Sequence, residues 1–321
     1  MRTPKSGGQK KPKIRHRYSV GEWYGVGIER LSIADRIQRA KTELEVDGLT
    51  STPCPFQKEA SCSKKFGFCS IRQYEQIGEA SVRGAGPLIT TCPNRFLEDE
   101  TIFRWAGKEI LDTSESIVLD QIGFLDRLRP ASATGSDDED EDGQDFIGRI
   151  DNVLVHPSRE PMDWCALELQ AVYFSGKTMK RELAMLAQSE EPLPFPEANH
   201  RPDWRSSGPK RLLPQLQTKV PTIRTWGKKM AVLVDEAFHA SLVGLERERH
   251  LSNAEIVWFI VGYDPGPNGW VLRPRDVVFS RLDASVKALT GGVPLSKERF
   301  EEQLRIKLGR QYPGHPLANR G

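Results

Sequence analysis

Residues 149–155 read Arg149-Ile150-Asp151-Asn152-Val153-Leu154-Val155, and residues 164–170 read Trp164-Cys165-Ala166-Leu167-Glu168-Leu169-Gln170. Between them lie His156-Pro157-Ser158 and Glu160-Pro161, which is turn chemistry. Two apolar runs rich in Val, Leu and Ile around such a break predict two strands, over 146–155 and 164–174. Side chains alternate across a strand, so Glu168 and Gln170 share one face while Cys165, Leu167 and Leu169 share the other. Asp151 on the first strand and the Glu-x-Gln pair on the second then bring two carboxylates and an amide to one site.

That order of groups follows the nuclease pattern D-x(n)-E-x-K. Two carboxylates hold Mg²⁺ at the scissile phosphate, and a third polar group, usually Lys, orients the attacking water or steadies charge. Phosphodiester hydrolysis needs such an ion, which stabilises developing negative charge and lowers the pKa of bound water. Magnesium takes hard oxygen ligands and keeps several waters, so two carboxylates suffice. Asp145, Glu160 and Asp163 compete for the first acidic role. Asp145 and Asp163 both rank below Asp151, since Asp163 precedes the second strand and Asp145 ends an acidic run.

Upstream, Cys54, Cys62, Cys69 and Cys92 cluster, and Cys165 stands apart from them inside the second apolar run. Strand parity makes Cys165 a buried thiol rather than a ligand. Four clustered thiolates suit a tetrahedral site for zinc or iron, and both metals accept four sulfurs. The spacing C-x7-C-x6-C-x22-C is not that of a common zinc finger. Two disulfides and four unrelated thiols are the competing readings; the basic start of the chain, with no apolar leader, speaks against the first.

The chain has 321 residues, 38% hydrophobic and 28% charged, enough for one large domain or two. No apolar stretch reaches the roughly 20 residues that span a bilayer, and the expected compartment is the bacterial cytoplasm. The net charge of +2 hides an uneven distribution. Residues 1–17 carry Arg2, Lys5, Lys10, Lys11, Lys13, Arg15 and Arg17 with no acid, and read as a flexible basic arm. Residues 130–145 read as an exposed loop holding Asp137 to Asp142 and Asp145. A basic body with a detached acidic strip suits a polyanionic partner, although solvated charge alone would explain each segment.

The periodicity predicts a helix from Ser32, carrying Ile33, Ile37, Ala40 and Leu44 and ended by Asp47-Gly48. Residues 52–95 are rich in Pro, Ser and Gly and short of periodicity, as segments held together by a metal are. Helices are expected over 97–111 and 115–128, the second with Val118, Ile122, Leu125 and Leu128 on one face. Further helices are expected near 177–188, over 226–249 and from Ser296. Six prolines make 192–214 a long loop, and the runs Glu255 to Tyr263 and Trp270 to Ser280 are expected strands.

Thr52-Pro53-Cys54-Pro55-Phe56, Ser61-Cys62-Ser63-Lys64, Gly67-Phe68-Cys69 and Cys92-Pro93-Asn94-Arg95 together resemble the NotI-type restriction endonucleases. So does Leu167-Glu168-Leu169-Gln170 followed by Phe174-Ser175-Gly176, with weaker echoes at Lys228-Lys229-Met230 and at 253–265. The resemblance spans roughly residues 20–270. It implies an α/β fold: a PD-(D/E)XK nuclease core over 146–321, a mixed sheet flanked by helices with a Pro-rich insert at 192–214. Ahead of it, over 18–129, it implies a helical subdomain with a four-cysteine metal site. Cys54, Cys62, Cys69 and Cys92 would bind one structural iron ion, Asp151 and Glu168 would hold Mg²⁺, and Gln170 would replace the usual Lys. The activity implied is that of a type II restriction endonuclease, a homodimer cutting double-stranded DNA at a GC-rich palindrome, with a partner DNA methyltransferase protecting the host.

Guanine is read in the major groove by Arg and Lys, whereas most protein–DNA hydrogen bonds go to phosphate. The expected DNA contacts are Lys64, Lys65 and Arg95 near the cysteines, Lys177 after the second strand and Arg205 in the Pro-rich segment. His156, His200 and His239 lack metal-ligand spacing. Two other functions compete: an iron–sulphur repair or recombination nuclease, whose cysteines would lie mostly downstream of the core, and a non-catalytic, metal-stabilised DNA-binding protein.

Overall fold

The computed structural model describes residues 14–48, 51–58, 60–78, 81–126, 146–176, 178–267, 269–292 and 294–319. The basic arm over 1–13 and the acidic loop over 130–145 lie outside them. The chain builds a mixed α/β architecture around two larger sheets and one short strand pair.

The first sheet is formed by β1 (Ile14–Trp23), β2 (Val26–Gly27), β3 (Phe68–Ile77) and β4 (Ser81–Thr90), in the order β2-β1-β3-β4. Helix α1 (Ile33–Glu45) begins where the sequence places it. Ser32 Oγ accepts the Asp35 N–H at 3.1 Å, satisfying one of the N–H groups the first turn leaves free. One expectation is corrected here: residues 14–17 belong to β1 rather than to an arm. The region expected to be helical holds α1 and, beside it, a sheet that includes the long β3–β4 hairpin. Its register shifts between Ile71 and Gln73, which scrambles the two-residue alternation that would have announced it.

After β4, a 3₁₀ stretch over Pro93–Glu100 leads into α2 (Thr101–Leu111), and then comes β5 (Ile117–Asp126). The expected helix over 115–128 is therefore a strand. Its pairing slips between Gly123 and Leu125 and again before Asp126, so its apolar residues fall at helix-like intervals. The second sheet adds β6 (Phe146–Val155) and β7 (Trp164–Leu169). A short pair follows, β8 (Phe174–Ser175) with β9 (Arg201–Pro202), separated by α3 (Met179–Gln188).

The segment read as a long loop carries α4 (Trp204–Ser207) and a π-helical turn over Gly208–Leu212 that runs directly into α5 (Leu213–Thr225). The helix expected over 226–249 is β10 (Lys229–Asp235) followed by the short α6 (Glu236–Ser241). Met230 to Val234 are completely buried, and a strand covered on both faces shows no alternation that would separate it from a buried helix. Strands β11 (Ile256–Gly266) and β12 (Gly269–Ser280), then α7 (Leu282–Thr290) and α8 (Lys297–Gln311), complete the described chain. Ser296 caps α8 as its sequence predicts.

The large sheet runs β12-β11-β10-β7-β6-β5, with β10 parallel to β7 and β11 and the other pairs antiparallel. Strand β7 therefore sits inside the sheet, where its backbone is fixed from both sides. One face of β7 sends Cys165 and Leu167 into the apolar layer shared with α2. The other packs Ala166 with Val153, Val232 and Trp258 against Leu213, Leu216 and Val220 of α5. Cys165 is accordingly a buried thiol away from the other four, and burial pushes it up to about 12.

The two sheets are joined at the end of β4. Asp235 accepts the Thr90 N–H at 2.6 Å and the Phe238 N–H at 2.7 Å, and Thr90 O accepts the Val172 N–H at 2.7 Å. Among the described residues no helix is long and apolar enough to cross a membrane.

Candidate active site

Strand parity puts Asp151 and Glu168 on neighbouring strands and on the same face. Asp151 Oδ2 accepts the Leu169 N–H at 2.9 Å, which turns the carboxylate toward β7. Glu168 is 2% exposed. Burial, together with the negative charge of Asp151, pushes its carboxyl up to about 7, against the opposing pull of Lys219. Gln170 stands at the end of β7, its backbone N–H bonded to Leu233 O at 3.0 Å and its side-chain amide donating to Ala171 O. Asp151 and Glu168 are thus brought together, and Gln170 lines the same cleft as Asp151.

Asp151 and Gln170 line a cleft of about 1550 Å³, while Glu168 is buried outside its lining. Asp151, Asn152 and Gln170 line its floor, Phe56, Lys58, Lys64 and Asn94 one wall, and Lys210, Arg211 and Gln215 another. Asp163 is spent elsewhere, paired with Lys228 at 2.8 Å and Arg159 at 2.9 Å. Two groups in or beside the cleft, Asp120 and Lys219, escaped the sequence reading. Asp120 of β5 lines it and accepts a hydrogen bond from the Asn152 amide. Arg211 lies 3.7 Å from the centre of the Tyr173 ring, which steadies a cation at the rim. Lys219 of α5 reaches Glu168 Oε1 at 2.6 Å. The first was hidden by reading β5 as a helix. The last carried a signal: a lysine on the buried stripe of Leu213, Leu216, Val220 and Ile223 is out of place unless something in the core answers its charge.

The expected DNA contacts separate sharply. Lys64 lines the cleft and donates to Thr91 O at 2.8 Å. Lys65 is exposed and pairs with Asp47 at 3.2 Å, and Arg205 is exposed outside the cleft lining. Lys177 lies outside the described residues. Arg95 corrects the expectation: it is fully buried, out of reach of a base edge. Its Nε donates to both Glu22 oxygens at 3.0 and 2.9 Å, Nη1 to Glu98 at 2.9 Å and Nη2 to Trp270 O at 3.2 Å. The rings of Phe56 and Tyr263 each lie 4.6 Å from it. Burial works against its charge, but Glu22, Tyr263 and Glu98 outweigh that and hold the guanidinium protonated beyond its ordinary range.

All five thiols are free. Cys69 and Cys92 are adjacent, since Cys69 O accepts the Cys92 N–H at 3.1 Å. Cys54, Cys62 and Cys92 lie within electrostatic reach of one another, as do Cys92 and Cys69. Burial raises Cys62, Cys69 and Cys92 above the ordinary thiol range, and the Cys62 and Cys69 thiols point to the carbonyls of Lys64 and Gly67. Among the described residues no three or more His, Cys, Asp or Glu side chains form a ready-made metal-binding group. The donor type, thiol sulfur, is one that zinc and iron take, while Glu43 acts electrostatically on Cys62 and Glu22 on Cys69.

A cleft lined by Asp120, Asp151, lysines and Arg211, with Glu168 buried on the strand beside Asp151, on a mixed sheet flanked by helices, makes a nuclease-like arrangement. The family model of restriction endonuclease NotI matches residues 37–272, and the chain belongs to that family. It is therefore a type II restriction endonuclease, a site-specific hydrolase acting on DNA. None of the curated proteins matches the chain.

Proposed function

We propose that the enzyme is Mg²⁺-dependent, built on a PD-(D/E)XK core, and cuts double-stranded DNA at a GC-rich palindrome as a homodimer. A partner methyltransferase protects the host's own copies of the site. The observation that carries the reading is that Asp151, which lines the cleft, and Glu168, buried on the neighbouring strand, lie close together on one face of the sheet. Their oxygens fit a hard divalent cation, which when bound would polarise the scissile phosphate and activate water. The chain's own share is orientation. Leu169 N–H fixes Asp151, Gln170 presents an uncharged amide at the end of β7, and Lys64, Lys210 and Arg211 line walls suited to phosphate. Incubating unmethylated plasmid DNA with the protein tests this. Discrete linear products with Mg²⁺, and none with EDTA, are expected; cutting without a divalent ion, or a smear, contradicts it.

A pH dependence follows from Glu168. With its carboxyl raised to about 7, the stability it contributes to the metal-free protein is present below its ordinary value of 4.5 and is lost as pH rises through 7. Divalent cations need the ionised form, so their affinity should climb about tenfold per pH unit up to about 7 and then level off. Calorimetric titration with Ca²⁺ at about pH 6 and pH 8 checks the sign. Equal affinities at the two values would count against the assignment.

Cys54, Cys62, Cys69 and Cys92 are proposed to hold one structural iron or zinc ion that braces the wall carrying Phe56 and Lys64. Elemental analysis of purified protein should find about one such ion per chain, and Cys62→Ser should lose it together with about 10 °C or more of melting temperature. Cys62→Ser with unchanged melting and cleavage would remove the metal from the account.

A further inference from the structure

The motif strand β7 carries no lysine: the place two residues beyond Glu168 is taken by Gln170, an amide without charge. A lysine nevertheless reaches the site from elsewhere. Lys219 lies on α5, 6% exposed, and its ammonium bonds Glu168 Oε1 at 2.6 Å and Gln215 Oε1 at 3.3 Å. Its neighbours along the same stripe are Leu216, Val220 and Ile223, where methionine or leucine would pack without burying a charge. Burying a paired lysine and carboxylate is no more stable than an apolar pair of similar volume, so stability alone does not account for a lysine at this position. It stands where it answers the combined negative charge of Asp151 and Glu168, and Gln215 beside it lines the cleft.

We propose that Lys219 supplies, from helix α5, the positive charge that the Glu-x-Gln strand lacks, acting as a positioning residue through Glu168. It aims the Glu168 carboxylate in the resting protein and keeps a fixed cation beside it when DNA is bound. The inference rests on the nuclease reading of Asp151 and Glu168. It separates the function of the motif's lysine from its place in the sequence: Gln170 keeps the position and Lys219 keeps the charge.

Lys219→Met tests it, because methionine suits the apolar stripe and leaves the fold intact. Its melting temperature should fall, because Glu168 is left buried without its partner, and Ca²⁺ should bind about tenfold tighter once no ammonium competes for Glu168. Cleavage at saturating Mg²⁺ should nevertheless fall by about a hundredfold. The double variant Lys219→Met/Gln170→Lys, which returns a lysine to the strand, should recover at least about tenfold of that loss. Cleavage by Lys219→Met at the wild-type rate overturns the proposal, and so does a loss that Gln170→Lys leaves unrecovered. Failure of the wild-type protein to cut any DNA would instead defeat the nuclease reading itself. Loss of cutting in Asp151→Ala with none in Lys219→Met would defeat only this inference.

Discussion

Glu168→Ala is expected to lower the single-turnover cleavage rate with Mg²⁺ by about a thousandfold or more, roughly 4 kcal/mol of transition-state stabilisation, while DNA binding in Ca²⁺ persists. The size follows from position. Glu168 is central in the sheet, buried, and close enough to Asp151 for the like charge to raise its carboxyl, so its loss removes half of the carboxylate pair. The alanine also strands the Lys219 ammonium in the core, and some loss of stability would accompany it. Glu168→Gln separates the two effects, because its amide oxygen still accepts from Lys219 while the charge is gone. Both variants should fail to cut, and only the alanine should melt early. Cleavage within about tenfold of wild type in Glu168→Gln would remove this residue from the chemistry.

The second large effect lies outside the carboxylates. Arg95→Met should cost about 3–5 kcal/mol, measured by denaturant unfolding near neutral pH, because it leaves Glu22 charged and buried without its partner. Arg95 ties together four separate segments: Glu22 on β1, Phe56 between the cysteines, Tyr263 of β11 and Trp270 O of β12. Glu98, held by the same guanidinium, also accepts the Leu272 N–H at 2.5 Å. The double variant Arg95→Met/Glu22→Leu should recover most of the loss, since it removes the stranded charge. A cost below about 1 kcal/mol for Arg95→Met would mean that the network is incidental.

Where the sequence could be read, a local rule applied. The Ser32 and Ser296 caps, the turn chemistry between β6 and β7, and the alternation from Cys165 to Gln170 each depend on a few adjacent residues. That alternation placed Cys165 in the apolar layer and Glu168 opposite it, as the structure shows. Long-range order defeated the same rules elsewhere. Strand β10 is covered on both faces and so lacks any period, and the register slips of β5 imitate a helix. The Pro-rich segment is non-helical as expected up to Asp203 and helical from Trp204, where Pro209 and Pro214 fall at the starts of the π turn and of α5 and their missing N–H is tolerated. Arg95, beside a cysteine, looked like a surface cation; only the fold reveals that Glu22 and Glu98 enclose it. Lys219 is marked in the sequence by its place on an apolar stripe, but its partner, Glu168, emerges only once α5 is known to face β7.

The central claim is that Asp151 and Glu168 cut DNA at one defined sequence. The most direct test is to digest unmethylated, GC-rich genomic DNA to completion with Mg²⁺ and sequence the ends of all fragments. The account predicts that every end falls within one palindromic sequence and carries one fixed offset. Intact DNA, or ends scattered without a common sequence, would contradict it.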